Sequence, residues 1–363
     1  MKITRQLHDL GQRLWLDNIT RELLDSGTLQ RYISDFSVTG LTSNPTIFHN
    51  ALKSSDLYDN AIRKYFLAGK SGEELFFELA IEDLTRAADL FRAVHDATEG
   101  VDGWVSLEVS PLLANDTAGT IKAALQLHAR FNRPNLFIKI PGTKAGLAAI
   151  EEVIFAGVPV NVTLLFSSEQ YLAAAAAYMR GIERRIAAGR DARVASVASL
   201  FISRWDVAIK DKVAGELRNR LGIAVAMRTY KSCRDLLASP GWHKLHAAGA
   251  RPQRLLWAST GTKDPAAKET LYIDALAAAD TINTIPEKTL LAFAQQGEIS
   301  SVLPSDGGDA EELLASFARA GVDVVALAAD LQREGTAAFA KSWDELMSLI
   351  ASKIDALAQV KNP

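Results

Sequence analysis

Eight short apolar segments, most followed by a stretch long enough for a helix, constrain this chain more than any other feature. They run over 14–19, 38–44, 104–110, 136–141, 158–166, 194–202, 254–260 and 281–285. The intervals carry apolar residues at helical spacing, as at 145–154 and 169–187. Strands that alternate with helices pair in parallel, and eight of them close into a (β/α)8 TIM barrel of the α/β class. A doubly wound open sheet is the competing arrangement, but no Gly-x-Gly-x-x-Gly follows an early strand.

Two stretches are longer than a crossover needs. Residues 50–103 hold at least two amphipathic helices, near 56–67 and 73–94, so extra helices follow strand 2. Residues 287–363 read as a helical C-terminal tail, with helices at 311–320, 324–335 and 342–357. The run 322–327 could pass for a ninth strand, but 328–331 continues it without a turn, so it reads as helix. Asp306-Gly307-Gly308-Asp309 is the clearest turn, and no linker is long enough to divide the chain. Residues 1–363 therefore read as a single barrel domain with insertions.

Composition narrows the function classes. Forty basic against forty-three acidic side chains leave a net charge of −3, which gives no electrostatic case for nucleic acid or an anionic membrane. Cys233 is the only cysteine, which excludes an intrachain disulfide and a cysteine metal cluster. The most membrane-like run, 171–179, is nine residues where a span needs about twenty. The N-terminus shows no signal-peptide core, so the expected location is cytoplasmic. The histidines, His128, His243 and His246 among them, lack metal-ligand spacing, and no cofactor is expected.

Strand periodicity of two sorts each segment into an outward apolar row and an inward row. The inward rows contain Trp15 with Asp17, Thr42 with Asn44, Ser106 with Glu108, Phe137 with Lys139, Asn161 with Thr163, and Ser199 with Phe201. Six of the eight strands thus bring a polar group towards the axis, mostly near the C-terminal end, where barrel enzymes carry their chemistry. Lys139 is the most informative of these. An unpaired ammonium inside a strand is costly, and burial favours the free amine that attacks carbonyls. Alone, it reads more simply as an edge lysine that snorkels to solvent, and any single Asn or Ser as a paired core polar group. Together they suit imine chemistry on a ketone, with carboxylates rather than histidine moving protons.

The same residues carry a resemblance. Val38-Thr39-Gly40-Leu41-Thr42-Ser43-Asn44-Pro45-Thr46, the Phe137-Ile138-Lys139-Ile140-Pro141-Gly142-Thr143 strand and Asn161-Val162-Thr163-Leu164-Leu165-Phe166-Ser167 resemble three motifs of the transaldolases, in order and with 22 positions between Lys139 and Asn161. The resemblance runs from Leu14 to about Ile350. The length and the 49–101 insertion look like a longer bacterial-type subgroup, some of whose members are fused to a phosphoglucose isomerase; this chain ends before any such domain.

The resemblance implies a role for each residue. Lys139 would form the Schiff base with the ketose C2 carbonyl. Asp17 would take the C4 hydroxyl proton during C3–C4 cleavage. Glu108, through a water held with Thr163, would shuttle protons as the imine forms. Asn44, Asn161 and Ser199 would hold the dihydroxyacetone hydroxyls, and Phe201 would line the site and limit water. Arg204 would grip the sugar phosphate. At the second phosphate anchor the chain departs from the family pattern Ser-Phe-Arg: Ser259 matches, Gly261 stands at the arginine position, and Lys263 is the expected substitute.

The implied reaction moves a dihydroxyacetone unit from sedoheptulose 7-phosphate to glyceraldehyde 3-phosphate, giving erythrose 4-phosphate and fructose 6-phosphate in the non-oxidative pentose phosphate pathway. A class I aldolase releasing free dihydroxyacetone and a non-catalytic phosphosugar-binding barrel are the alternatives. Oligomeric state is not legible.

Overall fold

The computed structural model describes residues 2–359 apart from residues 214 and 300. Its centre is a closed barrel of eight parallel strands in chain order: β1 (Arg13–Leu16), β2 (Val38–Thr42), β3 (Trp104–Glu108), β4 (Leu136–Pro141), β5 (Val160–Leu165), β6 (Ser196–Phe201), β7 (Arg254–Ala258) and β8 (Ile282–Ile285). β8 returns to pair with β1, so no edge remains. All eight expected strands are present, but most are shorter at one end or both. Asp17, Ser43, Asn44, Ser110 and Thr260 lie just past the strand ends, where the chain leaves the sheet at the C-terminal face, Asp17 still donating its backbone N–H to Ile285 of β8 at 2.8 Å.

Aromatic rings close the lower half of the barrel. Trp104 stacks on Phe137 with centroids 4.2 Å apart, and Trp15 lies 6.0 Å from Phe137. Gly40 makes room for them: a Cβ there would stand 2.7 Å from the Trp15 ring and 2.7 Å from the Trp104 carbonyl oxygen. Because one of those neighbours is backbone, Gly40→Ala should destabilise the fold by about 1–3 kcal/mol through overpacking. The readout is a lower urea midpoint at unchanged m-value; an unchanged midpoint would mean that the floor has slack. Below the rings, buried Asp102 accepts from Arg13 at 2.8 Å and from Arg254 at 3.0 Å, tying β1 and β7 through the loop before β3.

Three helices, Pro45–Ser54, Asp59–Leu67 and Gly72–Ala97, fill the interval between β2 and β3. Helices Glu287–Gln296, Ala310–Arg319 and Val324–Gln359 follow β8. The last one corrects the sequence reading, which ends one helix at Gly335 and starts another at Ser342. The helix instead runs unbroken for 36 residues, about 54 Å at 1.5 Å per residue. Gly335 is not a stop. It lets the helix approach β5, where a Cβ would meet Leu164 Cδ2 at 3.0 Å. The helix therefore crosses the C-terminal mouth of the barrel. Among the described residues, no helix is long and apolar enough to cross a membrane.

Candidate active site

The mouth opens into a cavity of about 760 Å³ whose walls come from the C-terminal ends of the strands and from helix Val324–Gln359. Asp17, Thr42, Asn44, Lys139, Thr163, Ser199, Phe201, Arg204, Ser259 and Lys263 all line it. Neighbouring registers explain the convergence: Glu108 pairs with Lys139, and Lys139 pairs with Asn161, across β3, β4 and β5. In a parallel sheet, partners in register point to the same side, so the three side chains all face the barrel interior.

Lys139 Nζ is buried and lies 3.1 Å from Glu108 Oε2, and it donates to the Ser43 carbonyl oxygen at 2.9 Å. Neither Glu108 oxygen has a well-aligned hydrogen bond from a protein donor, and Thr163 Oγ1 has no protein partner. A buried carboxyl and hydroxyl left so are suited to hold a small polar molecule between them. Burial pushes the Glu108 carboxyl above the usual range; Lys139 beside it pulls back, and Asp17 adds to the rise. A carboxyl held above its usual range is a better proton acceptor, placed here beside the amine.

Asp17, half-buried and open to the cavity, accepts from Thr42 Oγ1 at 2.6 Å. Enclosure raises its carboxyl too, against the Thr42 hydrogen bond and the charges of Lys139 and Lys263. Asn44 caps helix Pro45–Ser54 by accepting from the Ile47 N–H at 3.0 Å, with Pro45 at the first helical position. Capping uses its oxygen and fixes its orientation, leaving the amide NH2 for a ligand. Asn161 differs from its expected neighbours in placement. It is fully buried beneath the cavity, accepting from Ser199 Oγ at 2.7 Å and donating to Ser106 Oγ at 3.2 Å. One N–H and one lone pair of its amide are thus committed to protein partners.

The rim is cationic. Among the described residues, neither Arg204 nor Lys263 makes a hydrogen bond or ion pair to protein. Lys263 Nζ lies 3.6 Å from the point where a Gly261 Cβ would stand, so the ammonium occupies the space beside the glycine. Ser259 bonds Ser203 at 3.0 Å. Ser259 and Leu164 take positive φ values of 54° and 58° at the ends of β7 and β5, strained conformations for such residues.

The family described as Transaldolase/Fructose-6-phosphate aldolase matches residues 14–350. The chain belongs to that family. It is 43% identical over 356 residues to a transaldolase of Saccharopolyspora erythraea, covering 96% of this chain and 97% of that one. It is 42% identical over 358 residues to a transaldolase of Thiobacillus denitrificans, covering 96% and 100%. A protein named transaldolase 2 from Nostoc is 36% identical over 374 residues, covering 98% of each.

Several cavity residues of this family member escaped the sequence reading. Thr284, whose hydroxyl is 2.7 Å from that of Thr42, could have been found by alternation along β8. Leu331, Glu334 and Phe339 could not, because they arrive on a helix that follows the barrel.

Proposed function

We propose that this chain, a transaldolase by family, works through a covalent imine on Lys139 and moves a dihydroxyacetone unit from sedoheptulose 7-phosphate to glyceraldehyde 3-phosphate. The observation that carries the reading is the Lys139–Glu108 pair at 3.1 Å on the floor of a cavity that also holds Asp17.

Glu108 takes the amine's proton, and Nζ attacks the ketose C2 carbonyl. The carbinolamine loses its oxygen as water, with Glu108 and Thr163 handling protons through a bridging water, and an imine forms. Asp17 removes the C4 hydroxyl proton, the C3–C4 bond breaks, and its electrons pass to the imine to give an enamine. Erythrose 4-phosphate leaves. The enamine then attacks glyceraldehyde 3-phosphate, Asp17 returns the proton, and hydrolysis of the imine releases fructose 6-phosphate. Asn44 and Ser199 hold the dihydroxyacetone hydroxyls, with Asn161 behind Ser199. Phe201 carries no proton to quench the enamine, which favours transfer over release of free dihydroxyacetone. These substrates are soluble sugar phosphates of the pentose phosphate pathway, and a cytoplasmic location goes with them.

Borohydride reduction with fructose 6-phosphate tests the covalent step: a reduced adduct on Lys139 is expected, and none would leave only phosphosugar binding. Turnover that requires an acceptor aldehyde is expected for a transferase. Turnover without one would make the chain an aldolase.

The phosphate grip makes a separate prediction. A guanidinium offers two parallel hydrogen bonds to phosphate, whereas an ammonium is a point charge on a flexible stem. Arg204→Ala should cost about 1.5–3 kcal/mol of binding, seen in KM for fructose 6-phosphate and much less for fructose. Lys263→Ala should show a smaller loss of the same kind. Equal losses on both sugars would assign these residues to the fold instead.

A further inference from the structure

We propose that Phe339, carried over the barrel mouth by the C-terminal helix, is a positioning residue that holds the Arg204 guanidinium ready for the substrate phosphate. The inference rests on the reading of Arg204 as the phosphate grip. The Arg204 Cζ lies 5.6 Å from the Phe201 ring centroid and 6.0 Å from that of Phe339, and the two rings are 6.4 Å apart at 61°. The same Phe339 ring lies 5.9 Å from Lys139 Nζ. It therefore stands along the wall between the amine and the guanidinium.

The manner of holding matters. A carboxylate partner would neutralise the charge of an arginine and occupy its N–H groups. Aromatic faces attract a cation through the ring quadrupole and use none of its donors. Arg204 has no hydrogen bond or ion pair among the described residues. Glu334, on the same helix as Phe339, also faces the cavity and bears on Arg204 by charge alone, forming no ion pair with it. The guanidinium is thus oriented without being spent, and its in-plane N–H groups remain free for a bidentate grip.

The helix is anchored on both sides of Phe339. Gln332 Nε2 donates to the Gly142 carbonyl oxygen at 3.1 Å and to that of Leu164 at 3.0 Å, which fixes the helix on the ends of β4 and β5. Beyond Phe339, Trp343 packs edge-on against Phe76 at 5.1 Å. Positions 332, 335, 339 and 343 share one helical face. Phe339 is buried between these anchors, so its ring is presented by a packed element rather than by a loose tail.

The test is a double-mutant cycle on the full chain with Phe339→Leu, Phe339→Tyr and Arg204→Ala. Its readouts are KM and kcat for fructose 6-phosphate and fructose, and competitive inhibition by inorganic phosphate. Phe339→Leu should raise KM for fructose 6-phosphate and the inhibition constant for phosphate about five- to tenfold, the scale of a partly desolvated cation–π contact. The effect on fructose should be smaller. Phe339→Tyr, which keeps the ring face, should restore both constants. In the Arg204→Ala background, Phe339→Leu should add almost nothing. Full additivity of the two changes, or equal loss on both sugars in Phe339→Leu, would overturn the proposal and leave the reading of Arg204 standing. If Arg204→Ala itself shows no phosphate-selective loss, that reading fails and this inference falls with it.

Discussion

Lys139→Met should abolish turnover and borohydride labelling while leaving the barrel folded, the largest effect expected of any single change. The methionine has a similar volume, and the outward row of β4 that packs on the helices is untouched. What disappears is, among the described residues, the only amine on the cavity floor, and neither Glu108 nor Asp17 can form an imine. Residual turnover above about one per cent, a barrier increase below about 2.7 kcal/mol, would mean that the reaction does not pass through Lys139. Stability should change with a definite sign. Lys139 is the main charge opposing the rise of the Glu108 carboxyl, so its removal leaves that carboxyl raised further. A carboxyl raised in the folded state contributes stability that is fully present below its unfolded value and is lost as pH rises through the folded value. The stability deficit of Lys139→Met should therefore shrink as pH falls towards the ordinary carboxylate range. A deficit independent of pH would show that Glu108 does not sense the amine.

Glu108→Gln and Asp17→Asn come next, each slowed about 10²–10⁴-fold as expected for lost general acid–base catalysis, but at different steps. Glu108 lies 3.1 Å from the amine, so its amide variant should accumulate little reducible adduct. Asp17 bonds Thr42 and is assigned the cleavage step in the proposed mechanism, so its variant should still trap fructose 6-phosphate on Lys139 yet release little glyceraldehyde 3-phosphate. Identical trapping in the two variants would reject this division. Both carboxyls are raised by burial. Asp17 must be ionised to accept the C4 proton, so activity should fall with acid at a pH above the ordinary aspartate value of about 3.9. The Asp17→Asn profile should lose the part of that limb that Asp17 carries and keep the part that Glu108 sets.

Much of the site was legible because strand alternation is local. Asp17, Thr42, Lys139, Thr163 and Ser199 occupy the inward rows that a period of two assigns them, and all line the cavity. Asn44 was legible for a different reason: Asn before Pro is a helix cap, and the cap sets its side chain at the mouth. The departure at Gly261 was also readable, but not its consequence. Only the folded loop shows Lys263 Nζ beside that glycine, with Pro286 Cγ 3.1 Å from where a Cβ would stand.

The long C-terminal helix marks the limit of such reading. Gly335 resembles a helix end because glycine weakens helices, yet the residues after it are good helix formers and the helix continues to Gln359. The gain that offsets the glycine is close packing on Leu164, a contact with a residue far away in the chain.

The sequence by itself determined the eight strands, their parallel order and which side chains turn inward, since those follow from short-range periodicity and from the crossovers that parallel strands require. Only the tertiary structure decided how those side chains are used. It joined Glu108 to Lys139, committed Asn161 to Ser106 and Ser199, and laid Phe339 against Arg204. A helical period tells which face of a helix is apolar, but not what that face covers. That choice depends on the surface left by the rest of the chain, which exists only once the barrel has closed.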